Sequence, residues 1–102
     1  MSGLIAIIDD EPDIVELVSI HLKKAMFKVK GFSDAEGLYR FLGLSDGYGQ
    51  GSDQMPDLII LDLMLPDADG IEICKNLKKR DEYLSIPIIM LTAKGEETDK
   101  IL

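Results

Sequence analysis

The sequence predicts an α/β domain: a parallel sheet with helices on both faces. Three observations carry this expectation. The apolar runs Leu4–Ile8, Leu58–Leu61 and Ile88–Leu91 are short and do not alternate with polar residues. Amphipathic stretches of helical period lie between them. The chain has 102 residues, room for one domain at most. The order reads βαβαβαβα, without internal repeat, and right-handed crossovers leave few topologies for it.

Leu4-Ile5-Ala6-Ile7-Ile8 is apolar throughout, as a strand covered on both faces requires. It stops at Asp9-Asp10-Glu11-Pro12, and Pro12 suits the first turn of a helix, where its missing N–H costs nothing. Ile14, Leu17, Val18 and Leu22 then recur at helical spacing, leaving Glu16, Lys23 and Lys24 to solvent. Lys28–Phe32 is a short strand with Phe27, Val29 and Phe32 as its apolar content. Ser33-Asp34-Ala35-Glu36 reads as a capping box, after which Ala35, Leu38, Tyr39 and Leu42 mark a helical face. Residues 43–56 carry Gly43, Gly47, Gly49 and Gly51 among Ser, Asp and Gln, and read as a surface loop rather than a domain linker. Asp57–Leu61 is the third strand and ends in Asp62; Leu65–Gly70 is turn chemistry. A third helix through Ile73, Cys74 and Leu77 closes on Lys78-Lys79-Arg80, whose charge suits a helix C-terminus. Ile86–Leu91 is the fourth strand, with Pro87 tolerable near its start, and a further helix begins at Glu96.

Composition excludes several functions. Hydrophobic residues make up 46% of the chain, so a buried core is expected. Nineteen acidic against eleven basic side chains give a net charge of −8, which repels nucleic acid and anionic membranes. No apolar run approaches the roughly 20 residues of a membrane span, and no secretory signal opens the chain, so a cytoplasmic setting is expected. Cys74 stands alone, which excludes an internal disulfide or a cysteine zinc site. It reads as a core residue, and His21, between Ile20 and Leu22, as a boundary residue.

The chemistry sits at the strand ends. In an open α/β sheet, ligands bind outside the carboxyl ends of the strands, where the strand order reverses. Strand one delivers Asp9 and Asp10 to that edge, strand three Asp62 and strand four Thr92. An order of 2-1-3-4 would make strands one and three neighbours and bring the carboxylates together. Crowded carboxylates repel, and a hard divalent cation such as Mg²⁺ removes the repulsion. A carboxylate can also serve as a nucleophile toward phosphorus, with a hydroxyl such as Thr92 binding the phosphoryl group. A lone Asp after a strand is usually a helix cap. Four oxygen-bearing side chains on the right strands exceed that explanation, and Asp62, followed by Leu63 and Met64, does not begin a helix.

At these residues the chain resembles the response-regulator receiver domains of bacterial two-component signalling. The matching motifs are Ile7-Ile8-Asp9-Asp10-Glu11-Pro12, Leu61-Asp62-Leu63-Met64-Leu65-Pro66 with Asp69-Gly70, and Leu91-Thr92-Ala93-Lys94. Their wording is most similar to receivers of winged-helix transcriptional regulators. The resemblance spans Leu4 to Leu102 and implies a flavodoxin-like doubly wound sheet of order 2-1-3-4. It implies that Asp62 is the phosphoacceptor for a sensor histidine kinase. Mg²⁺ would be held by Asp10, Asp62 and the Met64 backbone carbonyl, with Asp9 acting through water. Thr92 would be the switch hydroxyl, while Met64 and Lys94 would flank the entrance. A DNA-binding output domain would lie outside these residues. The family continues with a fifth strand bearing a lysine and a fifth helix, so residues 1–102 are expected to be a receiver lacking both. Strand four is then expected to show a bare apolar edge, inviting self-association.

Rival readings fit less well. A haloacid-dehalogenase-like phosphatase places a second acid where this chain has Met64. A flavodoxin-like cofactor binder cradles phosphate with small residues, where this chain has Asp9-Asp10-Glu11. A phosphorylation-independent interaction module has no need of Asp62 and Thr92 together.

Overall fold

The unbroken apolar run at the start of the chain forms β1 (Leu4–Ile8), buried at all five positions in the interior of the sheet. The computed structural model describes residues 3–43, 55–91 and 100–101. Among them follow α1 (Pro12–Lys24), β2 (Lys28–Phe32), α2 (Ala35–Leu42), β3 (Leu58–Asp62), α3 (Gly70–Lys78), one 3-10 turn (Asp81–Tyr83), β4 (Ile88–Leu91) and β5 (Lys100–Ile101). The sheet order is β2-β1-β3-β4-β5, and the first four strands are parallel, as the sequence predicts.

Alternation along the strands divides the core in two. Ala6, Ile8, Ile59, Leu61, Ile88 and Met90 face α2 and α3, meeting Leu38, Leu42, Ile73 and Leu77. Ile5, Ile7 and Ile60 face the other way, against Val15, Val18 and Leu22 of α1. Each fully buried aliphatic side chain contributes about 1.5–3 kcal/mol relative to exposure. The first face, with far more such residues, therefore carries most of the stability among the described residues. α1 has no fully buried residue. Its sheet-facing stripe is Val15, Val18 and Leu22, whereas Leu17, expected on that face, is 54% exposed.

Local chemistry at the helix ends differs in part from the sequence reading. The N-cap of α2 is Asp34, not Ser33, and its Oδ1 accepts from the Gly37 N–H at 2.8 Å. Glu36 instead pairs with Arg40 one turn on, at 3.5 Å, an exposed contact of small value. The basic end of α3 does more than face the helix dipole. Lys78 Nζ donates to the carbonyls of Leu84 (3.1 Å) and Ile86 (2.8 Å), fastening the connection to β4. Buried Tyr83, in a turn the sequence reading missed, donates its hydroxyl to the Leu42 carbonyl.

At the sheet edge, the expectation of a bare β4 is corrected. Lys100 and Ile101 pair antiparallel with Met90 and Ile89, so this edge of β4 is not bare. An unpaired row of N–H and C=O groups is a ready template, and here the same chain occupies part of it. Residues 100–101 are therefore strand rather than helix, and the remainder of the helix expected from Glu96 lies outside the described residues. So does most of the expected 43–56 loop.

α1 ends in a double hydrogen-bonded cap: Met26 N–H to Lys23 O (2.9 Å) and Phe27 N–H to Leu22 O (3.1 Å). This geometry forces Met26 to φ 73°, a conformation costly for any side chain with a Cβ, and its side chain is 75% exposed. Met26→Gly should therefore stabilise the fold by about 0.5–1 kcal/mol, net of the added unfolded-state entropy. Thermal unfolding checks this, with a midpoint rise of roughly 4–8 °C per kcal/mol expected for a domain this size.

Candidate metal centre

The β1–β3 register sets Ile8 beside Leu61, so Asp9, just past β1, and Asp62, the last residue of β3, leave the sheet as neighbours. Asp10 follows, and one carboxylate oxygen from each of the three lies within 4.8 Å of the others. Each acid is held differently. Asp9 is 6% exposed; its N–H donates to the Phe32 carbonyl at 3.0 Å, and its Oδ1 accepts from the Glu11 N–H at 2.9 Å. That second bond turns the chain into α1. Asp10 is exposed. Asp62 is half-buried, with Oδ1 accepting from the Met64 N–H at 3.2 Å.

The loop after Asp62 is a small hairpin. Met64 bridges Asp69, Leu65 N–H donates to Ala68 O (3.2 Å), and Gly70 N–H donates to Leu63 O (2.8 Å). Asp69, the N-cap of α3, accepts from Ile71 N–H at 2.9 Å. A Cβ at Gly70 would lie 2.7 Å from the backbone oxygen of Asp62 and 3.0 Å from Leu63 Cα. Backbone atoms cannot step aside, so only glycine lets α3 begin this close to Asp62. Met64 itself is 64% exposed, beside a shallow cavity of about 350 Å³ lined by Leu63, Leu65, Ala68 and Ile71.

Electrostatically the three acids conflict. Like charges this close repel by a few kcal/mol before solvent screening. Burial, together with the charges of Asp9 and Asp10, raises the Asp62 carboxyl above its ordinary value, against the Met64 N–H, which lowers it. Among the described residues, no Lys or Arg pairs with any of the three. Hard carboxylate oxygens gathered without a counter-charge are the donor set a hard divalent cation takes. The residues present fit such an ion.

Sequence reasoning found Asp9, Asp10 and Asp62, and the fold brings them together. Thr92 and Lys94 lie outside the described residues; Leu91, just before Thr92, is paired with Asp62. The sequence reading missed Asp67, whose carboxylate accepts from the N–H groups of Ala35 (2.9 Å) and Glu36 (3.1 Å) on α2. No local signal could have found it, because its partners lie about 30 residues away in the chain.

Residues 5–101 match the response regulator receiver domain family. The chain belongs to that family. The receiver is 42% identical over 102 residues to the alkaline phosphatase synthesis transcriptional regulatory protein PhoP of Bacillus subtilis. That match covers all of this chain and 38% of PhoP, so the receiver spans about two fifths of that relative's length. The chemotaxis response regulator CheY4 of Vibrio cholerae has the same fold: TM-score 0.76, 26% identity, 94% of this chain and 72% of that one. The Mn²⁺-bound form of response regulator Rcp1 matches at TM-score 0.77 and 28% identity, over 93% of this chain and 68% of that one. The receiver is thus a regulatory signalling domain of the two-component type rather than a conventional enzyme, with relatives among transcription regulators.

The raised Asp62 value has a sign that unfolding can test. A carboxyl raised in the folded state favours folding while protonated, below its ordinary value of 3.8, and that contribution is lost as pH rises through the folded value. In metal-free receiver, Asp62→Asn should therefore be more stable than the parent near neutral pH, keeping the Met64 contact through its amide oxygen. The gap should close as the pH falls toward 3.8 and below. Urea unfolding across that range checks it; a gap independent of pH would contradict the assignment.

Proposed function

We propose that this receiver accepts a phosphoryl group on Asp62 from a phosphohistidine of a sensor kinase, in the cytoplasm, with Mg²⁺ as cofactor. The observation that carries the reading is the convergence of Asp9, Asp10 and Asp62 oxygens within 4.8 Å at the carboxyl edge, on a family-matched fold. An Asp62 oxygen attacks phosphorus, a P–O bond forms, the P–N bond to the kinase histidine breaks, and its electron pair returns to the imidazole. The Met64 N–H restrains the rotation of the Asp62 carboxylate. Asp10, exposed and without a hydrogen bond to another described residue, is free to ligate the metal directly. Asp9 has one oxygen committed to Glu11 N–H and would act through water. The Met64 carbonyl would supply a further ligand. When bound, Mg²⁺ neutralises charge gathering on the transferred group. The Thr92 hydroxyl hydrogen-bonds the phosphoryl oxygens and carries the change outward. The output is a DNA-binding domain outside these 102 residues, in keeping with relatives that are much longer than this chain. The acidic surface itself repels DNA. Among the described residues no helix is long and apolar enough to cross a membrane.

With Mg²⁺ and a small phosphodonor, the chain should gain one phosphoryl group by intact mass, and Asp62→Ala should gain none. Equal labelling of the variant would reject Asp62. A parent chain that never labels would favour the phosphorylation-independent module.

In a Mg²⁺ titration, Asp10→Ala should weaken affinity by roughly tenfold or more, and Asp9→Asn, which keeps the Glu11 contact, by less. The reverse order would exchange their roles.

A further inference from the structure

We propose that Asp67 is a positioning residue for the acidic site, clamping the hairpin between β3 and α3 onto the N-terminus of α2. This rests on the reading of Asp62 given above. The two oxygens of Asp67 are divided between successive α2 amides: Oδ1 accepts from Ala35 N–H at 2.9 Å and Oδ2 from Glu36 N–H at 3.1 Å. Asp34 Oδ1 takes the next, Gly37 N–H, at 2.8 Å. The first three free donors of α2 are thus satisfied, two of them by a residue from another element.

The geometry gives this contact a reach beyond helix capping. Asp67 sits at the tip of the hairpin whose base is Asp62, Leu63 and Met64. The bonds from Leu65 to Ala68 and from Gly70 to Leu63, with the Met64–Asp69 bridge, make tip and base one stiff piece. At the base, Met64 N–H holds Asp62 Oδ1. At the tip, a carboxylate on a helix N-terminus is favoured by charge as well as by hydrogen bonds. The anchor is itself firm, because Ala35 and Leu38 of α2 are buried in the larger core. Loss of the clamp frees the tip, and the base then holds Asp62 and the Met64 carbonyl less narrowly.

Asp34 provides the control, since its side chain caps the same helix through Gly37 N–H and not through a hydrogen bond to the hairpin. In the 102-residue chain, Asp67→Ala and Asp34→Ala should each lower thermal stability. Only Asp67→Ala should speed amide hydrogen exchange at Met64, Leu65 and Gly70, and only it should weaken Mn²⁺ binding. We expect about three- to tenfold in each, below the roughly 10–100-fold typical of groups that bond a metal ligand directly. Asp67→Asn, which keeps one acceptor, should fall between. Exchange at those three amides no faster in Asp67→Ala than in Asp34→Ala would overturn the proposal, as would equal Mn²⁺ affinities. Should the parent chain bind no Mn²⁺ and take no phosphoryl group, the reading of Asp62 fails. The exchange comparison then still decides whether Asp67 holds the hairpin.

Discussion

The parallel pairing of β1 with β3 is the constraint on which the site depends. Both strands are interior and covered on both faces, so neither can admit a charged side chain until it leaves the sheet. The acids are therefore confined to the strand ends, and the Ile8–Leu61 register makes those ends adjacent. A one-residue register slip would exchange the side chains of the two core faces as well as parting Asp9 from Asp62, so the core enforces the geometry of the site. The price is the mutual repulsion of the carboxylates, which the larger core offsets.

Around that edge the protein uses main-chain donors as its precise instruments. Glu11 N–H orients Asp9, Met64 N–H orients Asp62, and Ile71 N–H donates to Asp69. Each bond also starts or turns a backbone segment, so placing an acid and shaping a loop are one event. Gly70 belongs to the same design, since α3 can begin beside Asp62 only where no Cβ intervenes. On the far side of α3, Lys78 fixes the segment that feeds β4, setting the neighbour strand of β3.

Much of this was legible in the residues because it is local. Unbroken apolar runs mark β1, β3 and β4, and Pro12 marks the start of α1. The stripe Ala35, Leu38 and Leu42 marks the buried face of α2, and the three acids stand where strands stop. What was misread depends on rotation or distance. Leu17 lies about 100° from Val18 about the helix axis, and packing against Ile5 and Ile7 selects the face of Val15, Val18 and Leu22 instead. Ser33 and Asp34 are both good caps, and Asp34 is the one whose side chain meets Gly37 N–H. The clamp of Asp67 and the burial of Tyr83 join residues far apart in sequence, and neither they nor the return of Lys100–Ile101 to β4 is announced by a local period.

The two cores are unequal, and the weaker one begins at the acids. α1 rests on the sheet through partly buried Val15, Val18 and Leu22, and its first turn grows out of the Asp9–Glu11 bond. Partial openings of a fold start where least apolar surface is locked away. Among the described helices that is α1, which follows directly on the segment bearing Asp9 and Asp10, whereas Asp62 precedes α3, packed in the larger core. The site therefore joins a wall with little buried apolar surface to one anchored in the larger core.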